Sequence, residues 1–113
     1  MFVYWRYKMS HLATPEFEQL FKNFPLYSQE GTKDPLVIAR LFDAYGSAAW
    51  YLTEYNPEDK IAFGYVTGLG HNAFGYISII VLESIYLGNS KTPRIERDLY
   101  FKQCRLSEAK TSG

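Results

Sequence analysis

The sequence predicts an α+β domain: an antiparallel meander sheet of four to five strands, an N-terminal helix packed on one face, and a short second helix. Three observations predict it. The tetrapeptide Ala-Phe-Gly-Tyr occurs twice, at 62–65 and 73–76, on either side of a turn-forming stretch, Thr67-Gly68-Leu69-Gly70-His71-Asn72. Each copy alternates bulky and small side chains, the period-two pattern of a strand with two unlike faces. A clear helix start, Thr14-Pro15, precedes the strand-like runs. Those runs are short and separated by turn residues, which suits consecutive antiparallel pairing.

Taken in order, residues 1–8 form an aromatic extension with Phe2, Tyr4, Trp5 and Tyr7. Ordered aromatics need a surface to cover, so Tyr4, Trp5 and Tyr7 are candidate contacts to the domain, a partner or a second copy. Thr14 is a good N-cap, Pro15 suits the first turn, and Glu16 and Glu18 complement the positive end of the helix dipole. Phe17, Leu20, Phe21 and Phe24 share one face, and Asn23 and Pro25 end the helix at about residue 23. Residues 25–35 read as loop. Leu36–Phe42 and Ala48–Tyr55 read as strands around a turn at 43–47. In the second of these, Trp50, Leu52 and Glu54 fall on one face and Tyr51, Thr53 and Tyr55 on the other. Asn56-Pro57-Glu58-Asp59 turns the chain into the hairpin. Leu82, Ile85 and Tyr86 have helical spacing. Residues 88–93 read as a flexible connection, Asp98–Cys104 as the final strand, and 109–113 as a frayed tail. The domain proper covers 9–108.

The chain has 113 residues with 12 basic and 12 acidic side chains, and a formal net charge of zero. That gives no global drive toward nucleic acid or an anionic membrane. The charge is uneven, with a net of +3 from Gly88 onward and −3 before it. Aromatics reach 18%, including ten Tyr, and Tyr-rich surfaces suit recognition. The one cysteine, Cys104, permits no intrachain disulfide and fits a reducing compartment. No apolar run approaches the roughly 18 residues of a membrane helix. The N-terminus lacks the order of a signal peptide, so the expected location is cytoplasmic, with no membrane partner.

The segments Pro25-Leu26-Tyr27-Ser28, Lys33-Asp34-Pro35, Trp50-Tyr51-Leu52-Thr53-Glu54, Phe63-Gly64-Tyr65-Val66 with Gly68, Gly75-Tyr76, Leu82-Glu83-Ser84-Ile85 and Ile95–Phe101 together resemble domain-of-unknown-function family 2958. The resemblance spans about residues 12–108. It implies no assigned activity and no catalytic residue. It implies small bacterial proteins carried near mobile-element and DNA-handling genes, and hence an accessory role beside DNA-processing or phage-defence machinery, such as a CRISPR-type nuclease.

Candidate chemistry is sparse. His71 sits at the hairpin tip and His11 before the helix, both expected as solvated residues; a zinc site would need both plus carboxylates. Cys104 would need a neighbouring cation to become a reactive thiolate. Glu54, Glu83, Glu96 and Asp98 would need to converge in pairs for hydrolysis. Gly64, Gly68, Gly70 and Gly75 lack the Lys-Ser/Thr of a phosphate loop and mark bulges or make room for aromatic rings. Arg94, Arg97, Lys102 and Arg105, interleaved with Tyr100 and Phe101, are candidate contacts to nucleic acid or an acidic partner. Trp50 and Tyr51 are candidate interface residues. The expectation is a non-enzymatic interaction protein without cofactors, a homodimer that docks on a larger partner. A nucleic-acid-binding module and a small hydrolase are the alternatives.

Overall fold

The structure, a computed structural model, describes residues 10–112. Tyr4, Trp5, Tyr7 and the rest of the N-terminal extension lie outside the described residues.

The predicted α+β class is the observed one. A five-stranded antiparallel sheet is built from β2 (Ala39–Asp43), β3 (Ala49–Asn56), β4 (Ile61–Thr67), β5 (Ala73–Ser78) and β6 (Ile95–Arg97), in the order β5-β4-β3-β2-β6. A two-stranded ribbon pairs β1 (Leu36–Val37) with β7 (Cys104–Arg105). Among the described residues, three short helices accompany them: α1 (Pro15–Leu20), α2 (Ile79–Glu83) and α3 (Leu106–Ser112).

The start of α1 forms as its residues dictate. The Thr14 side chain accepts the Phe17 N–H at 3.1 Å, and Pro15 occupies the first turn. The helix is shorter than predicted. Beyond Leu20 the backbone tightens to three-residue turns, with Phe24 N–H donating to the Phe21 carbonyl at 2.8 Å. The tightening turns Phe17, Phe21 and Tyr55 into one aromatic cluster, with centroids 5.0–5.5 Å apart. Burying each such ring contributes about 2–3 kcal/mol.

β3 is the central strand, with Ala49 through Tyr55 all buried. Trp50, Leu52 and Tyr55 join the main core with Leu12, Phe17, Leu41 and Ile79. Ala49 and Tyr51 face the other way, toward Val37 of β1 and Leu106 and Ala109 of α3. The predicted alternation fails after Leu52, where the β3–β4 register shifts before Glu54. One extra residue in a strand reverses the facing of everything after it. Tyr55 therefore enters the main core, and Glu54 turns to the opposite face.

Gly64 makes the irregularity possible. A Cβ there would lie 2.2 Å from the Tyr51 carbonyl oxygen and 2.9 Å from the Leu52 Cα. The missing side chain thus makes room for the β3 backbone and not for an aromatic ring. Its hairpin partner Gly75 has no atom within 4 Å of the corresponding position. The two repeats pair about these glycines, Phe63 opposite Tyr76 and Tyr65 opposite Phe74. Gly68 closes the turn at φ +82°, against the Ser47 carbonyl.

Four further expectations are corrected. The run Leu36–Phe42 breaks at Ile38, because β1 pairs with β7 while β2 pairs with β3 and β6. Asp98–Cys104 is not a strand: β6 lies before it, β7 at its end, and Asp98 accepts the Tyr100 N–H in a turn between them. The 88–93 connection is tied by Leu87 N–H to the Thr92 carbonyl and Arg94 N–H to the Ile85 carbonyl. Residues 106–112, which include most of the tail expected to fray, form α3. Asp34 accepts the Ser107 N–H at 3.0 Å and its hydroxyl at 2.7 Å, in the manner of a helix cap, and Ala109 is buried.

Gly64→Ala should lower stability by about 1–3 kcal/mol, because a buried backbone must shift to admit the methyl group. Gly75→Ala should stay within about 0.5 kcal/mol of the parent. Urea denaturation of the two variants measures both.

Candidate functional site

Most residues singled out for chemistry are occupied in holding the chain together. Glu83 Oε2 accepts the Ser10 hydroxyl and the Leu12 and Ala13 N–H groups at 2.8–2.9 Å, pinning the approach to α1. Asp98 pairs with Arg40 at 3.3 Å. His11 Nε2 lies 3.0 Å from the Ile95 carbonyl, while His71 is exposed at the hairpin tip. The carboxylates Glu54, Glu83 and Asp98 each bond to a different stretch of chain. Among the described residues, no group of three or more His, Cys, Asp or Glu is placed to hold a metal ion. Cys104 is half-buried, and burial together with Glu108 pushes its thiol pKa up, away from a reactive thiolate.

The basic residues behave likewise. The Arg94 Nε bonds both Asp43 oxygens at 2.9 and 3.0 Å. Arg97 pairs with Glu16, and Arg105 donates to the Asp34 carbonyl at 3.1 Å. Lys102 is exposed. Trp50 and Tyr51, expected at an interface, are 6% and 4% exposed and belong to the two cores. Among the described residues, no helix is long and apolar enough to cross a membrane.

Among the apolar surfaces the fold leaves uncovered, beside the exposed Leu99 and Tyr100 after β6, is the outer end of the second sheet face. Period-two alternation puts Phe63, Tyr65, Phe74 and Tyr76 together there. Phe63 and Phe74 stack with centroids 5.9 Å apart, and Tyr76 meets the Phe63 ring edge-on at 5.0 Å. Phe74 and Tyr76 remain 47% and 59% exposed. The loop 27–32 rises beside them and closes a cavity of about 260 Å³.

Glu54 ties that loop to the sheet. It is 5% exposed, and its two oxygens accept the Tyr27 N–H at 2.8 Å and the Gln29 N–H at 2.9 Å. Such charge-assisted bonds are about twice as strong as neutral ones. The Gln29 amide donates to the Leu36 and Thr53 carbonyls and accepts the Leu36 N–H. Tyr27 is held at φ +75°, a conformation a non-glycine residue adopts only when its surroundings enforce it. Its ring stands 62% exposed beside Tyr76. The Tyr76 hydroxyl, paired with that of Tyr27 and facing Glu54 and Glu30, is held above the usual tyrosine pKa range.

The match to known families covers residues 12–110, nearly the whole chain, and carries the description "Protein of unknown function (DUF2958)". The chain belongs to the DUF2958 family. No curated protein and no solved structure matches it. Of the segments that carry the resemblance in this DUF2958 chain, Trp50–Glu54 supplies β3 with its bulge and Phe63–Val66 supplies the strand that accommodates it. Sequence pattern assigns Tyr27 and Gln29 no role in a site, because a loop residue's partner is set by tertiary contact. The aromatic face was detectable: both rings of each repeat fall on one side of the hairpin.

Two outcomes follow. Glu54→Ala should cost about 2–4 kcal/mol, since two buried N–H groups lose their acceptor, and should speed hydrogen exchange at the Tyr27 and Gln29 amides. The Asp43 carboxyl is held below its ordinary pKa, chiefly by the Arg94 hydrogen bonds. Its contribution to stability is complete above the unfolded-chain value of about 3.9 and drains away as pH falls through the lower folded value. Asp43→Asn should flatten that acid limb, measured by thermal unfolding between about pH 5 and pH 2.

Proposed function

We propose that this DUF2958 chain is a non-enzymatic interaction protein. Two copies pair edge to edge through β5, and the combined aromatic face docks on a larger protein. The observation that carries this reading is β5 itself. Among the described residues it pairs only with β4, and Phe74 and Tyr76 stay exposed on one face while Ile77 is buried on the other. An edge strand presents unpaired N–H and carbonyl groups that another strand can complete. Isologous pairing of two β5 edges keeps both aromatic clusters on one side of a continuous sheet. Ile80 and Val81, exposed on α2 directly after β5, extend the apolar surface.

The partner class, DNA-processing or phage-defence machinery, rests on what the family resemblance implies alone. Direct nucleic-acid binding draws less support from the geometry, because Arg94, Arg97 and Arg105 are engaged with Asp43, Glu16 and the Asp34 carbonyl.

Light scattering over a concentration series should show a dimer. Gly75→Lys, which puts a charge at the edge in a position with no atom within 4 Å, should shift it to monomer without lowering stability. A strict monomer at every concentration would sink the reading.

A further inference from the structure

We propose that the cavity between the 27–32 loop and the β4–β5 aromatic face receives the guanidinium group of an arginine side chain carried by the docking partner. The proposal deepens the docking reading and rests on it. Its walls are the rings of Tyr27, Phe63, Phe74 and Tyr76, and Glu54 and Glu30 add two carboxylates. Among the described residues that line it, none is basic. Aromatic faces carry negative potential and attract cations within about 6 Å of the ring centre. Carboxylates beside them add attraction of the same sign, so the cavity disfavours an anion and selects a cation over a neutral apolar group.

The same sheet face already works this way elsewhere. Lys110 Nζ sits 4.7 Å from the Tyr65 ring centroid, and the Arg40 guanidinium lies 5.3 Å from Phe42 and 5.7 Å from Tyr51. The chain thus covers the inner rings of its aromatic face with its own cations. The outer rings, Phe63, Phe74 and Tyr76, are without one in the described residues. Arginine fits better than lysine for a physical reason. A guanidinium is planar, stacks on ring faces, is weakly hydrated, and forks onto carboxylate oxygens. Glu54 uses one hydrogen bond per oxygen on the loop, and each carboxylate oxygen has capacity for a second.

The test is a titration of the full chain with N-acetyl-arginine amide, followed by amide chemical shifts in ¹H–¹⁵N NMR, with N-acetyl-norleucine amide as the neutral control. Saturable shifts centred on Tyr27, Glu30, Phe74 and Tyr76 with the arginine compound, and not with norleucine, are expected. Tyr76→Leu keeps an apolar side chain against Phe63 and should weaken binding about threefold to thirtyfold. Glu30→Gln, on an exposed side chain, should weaken it in the same direction. Equal shifts with norleucine, shifts centred elsewhere, or none at the cavity would overturn the proposal. The two readings fail separately. Arginine binding in a chain that light scattering finds monomeric keeps the cavity and removes edge pairing. A dimer with no arginine response does the reverse.

Discussion

The register shift in β3 is the constraint on which the rest of this structure depends. It occurs between Leu52 and Glu54, opposite Gly64, where the two backbones approach too closely for any side chain. Without it, Tyr55 would face away from Phe17 and Phe21, and the main core would lose its largest fully buried side chain. With it, Glu54 turns to the other face and reaches the backbone of the 27–29 loop. One extra residue therefore supplies the core with an aromatic ring and the opposite face with a carboxylate. The loop so anchored holds Tyr27 in a strained conformation beside Tyr76.

A second consequence concerns charge. Nearly every acidic or basic group that invites a chemical role is bonded to another part of the chain. Glu83 holds residues 10–13, Glu18 bridges the Tyr55 hydroxyl and Lys60, Asp34 holds α3, and Asp43 holds Arg94. These contacts join segments distant in sequence, which is the work short helices and a two-stranded ribbon require in a small domain. An aromatic surface on β5 and the loop facing it stays uncovered among the described residues. The proposed docking and edge pairing draw on that surface and on the open edge of β5.

The sequence made the sheet legible and the site only half so. The paired repeats, the Thr14-Pro15 helix start and the strand at 48–55 all depend on local patterns, and all appear. What failed depended on tertiary contact. The bulge cannot be seen from alternation in β3, since it depends on the close approach of the β3 backbone to Gly64. The break at Ile38 reflects two different partner strands, β7 and β3. The tail at 106–112 becomes a helix because Asp34 caps it and Tyr51 offers a surface. Trp50 and Tyr51 looked like interface aromatics because β3 is buried on both faces, a property set by what packs on it. Arg94, Arg97 and Arg105 have the pattern of a basic patch because their partners, the Asp43 and Glu16 carboxylates and the Asp34 main-chain carbonyl, are 51, 81 and 71 residues away in sequence.

The central claim is that β5 carries contact to another chain while the Glu54-anchored loop belongs to the monomer. Hydrogen exchange across a protein dilution series tests it most directly. The outward amides of Ala73–Ser78 should gain protection as concentration rises, with Tyr27 and Gln29 protected equally throughout. Exchange along β5 that stays fast and unchanged at every concentration would contradict it.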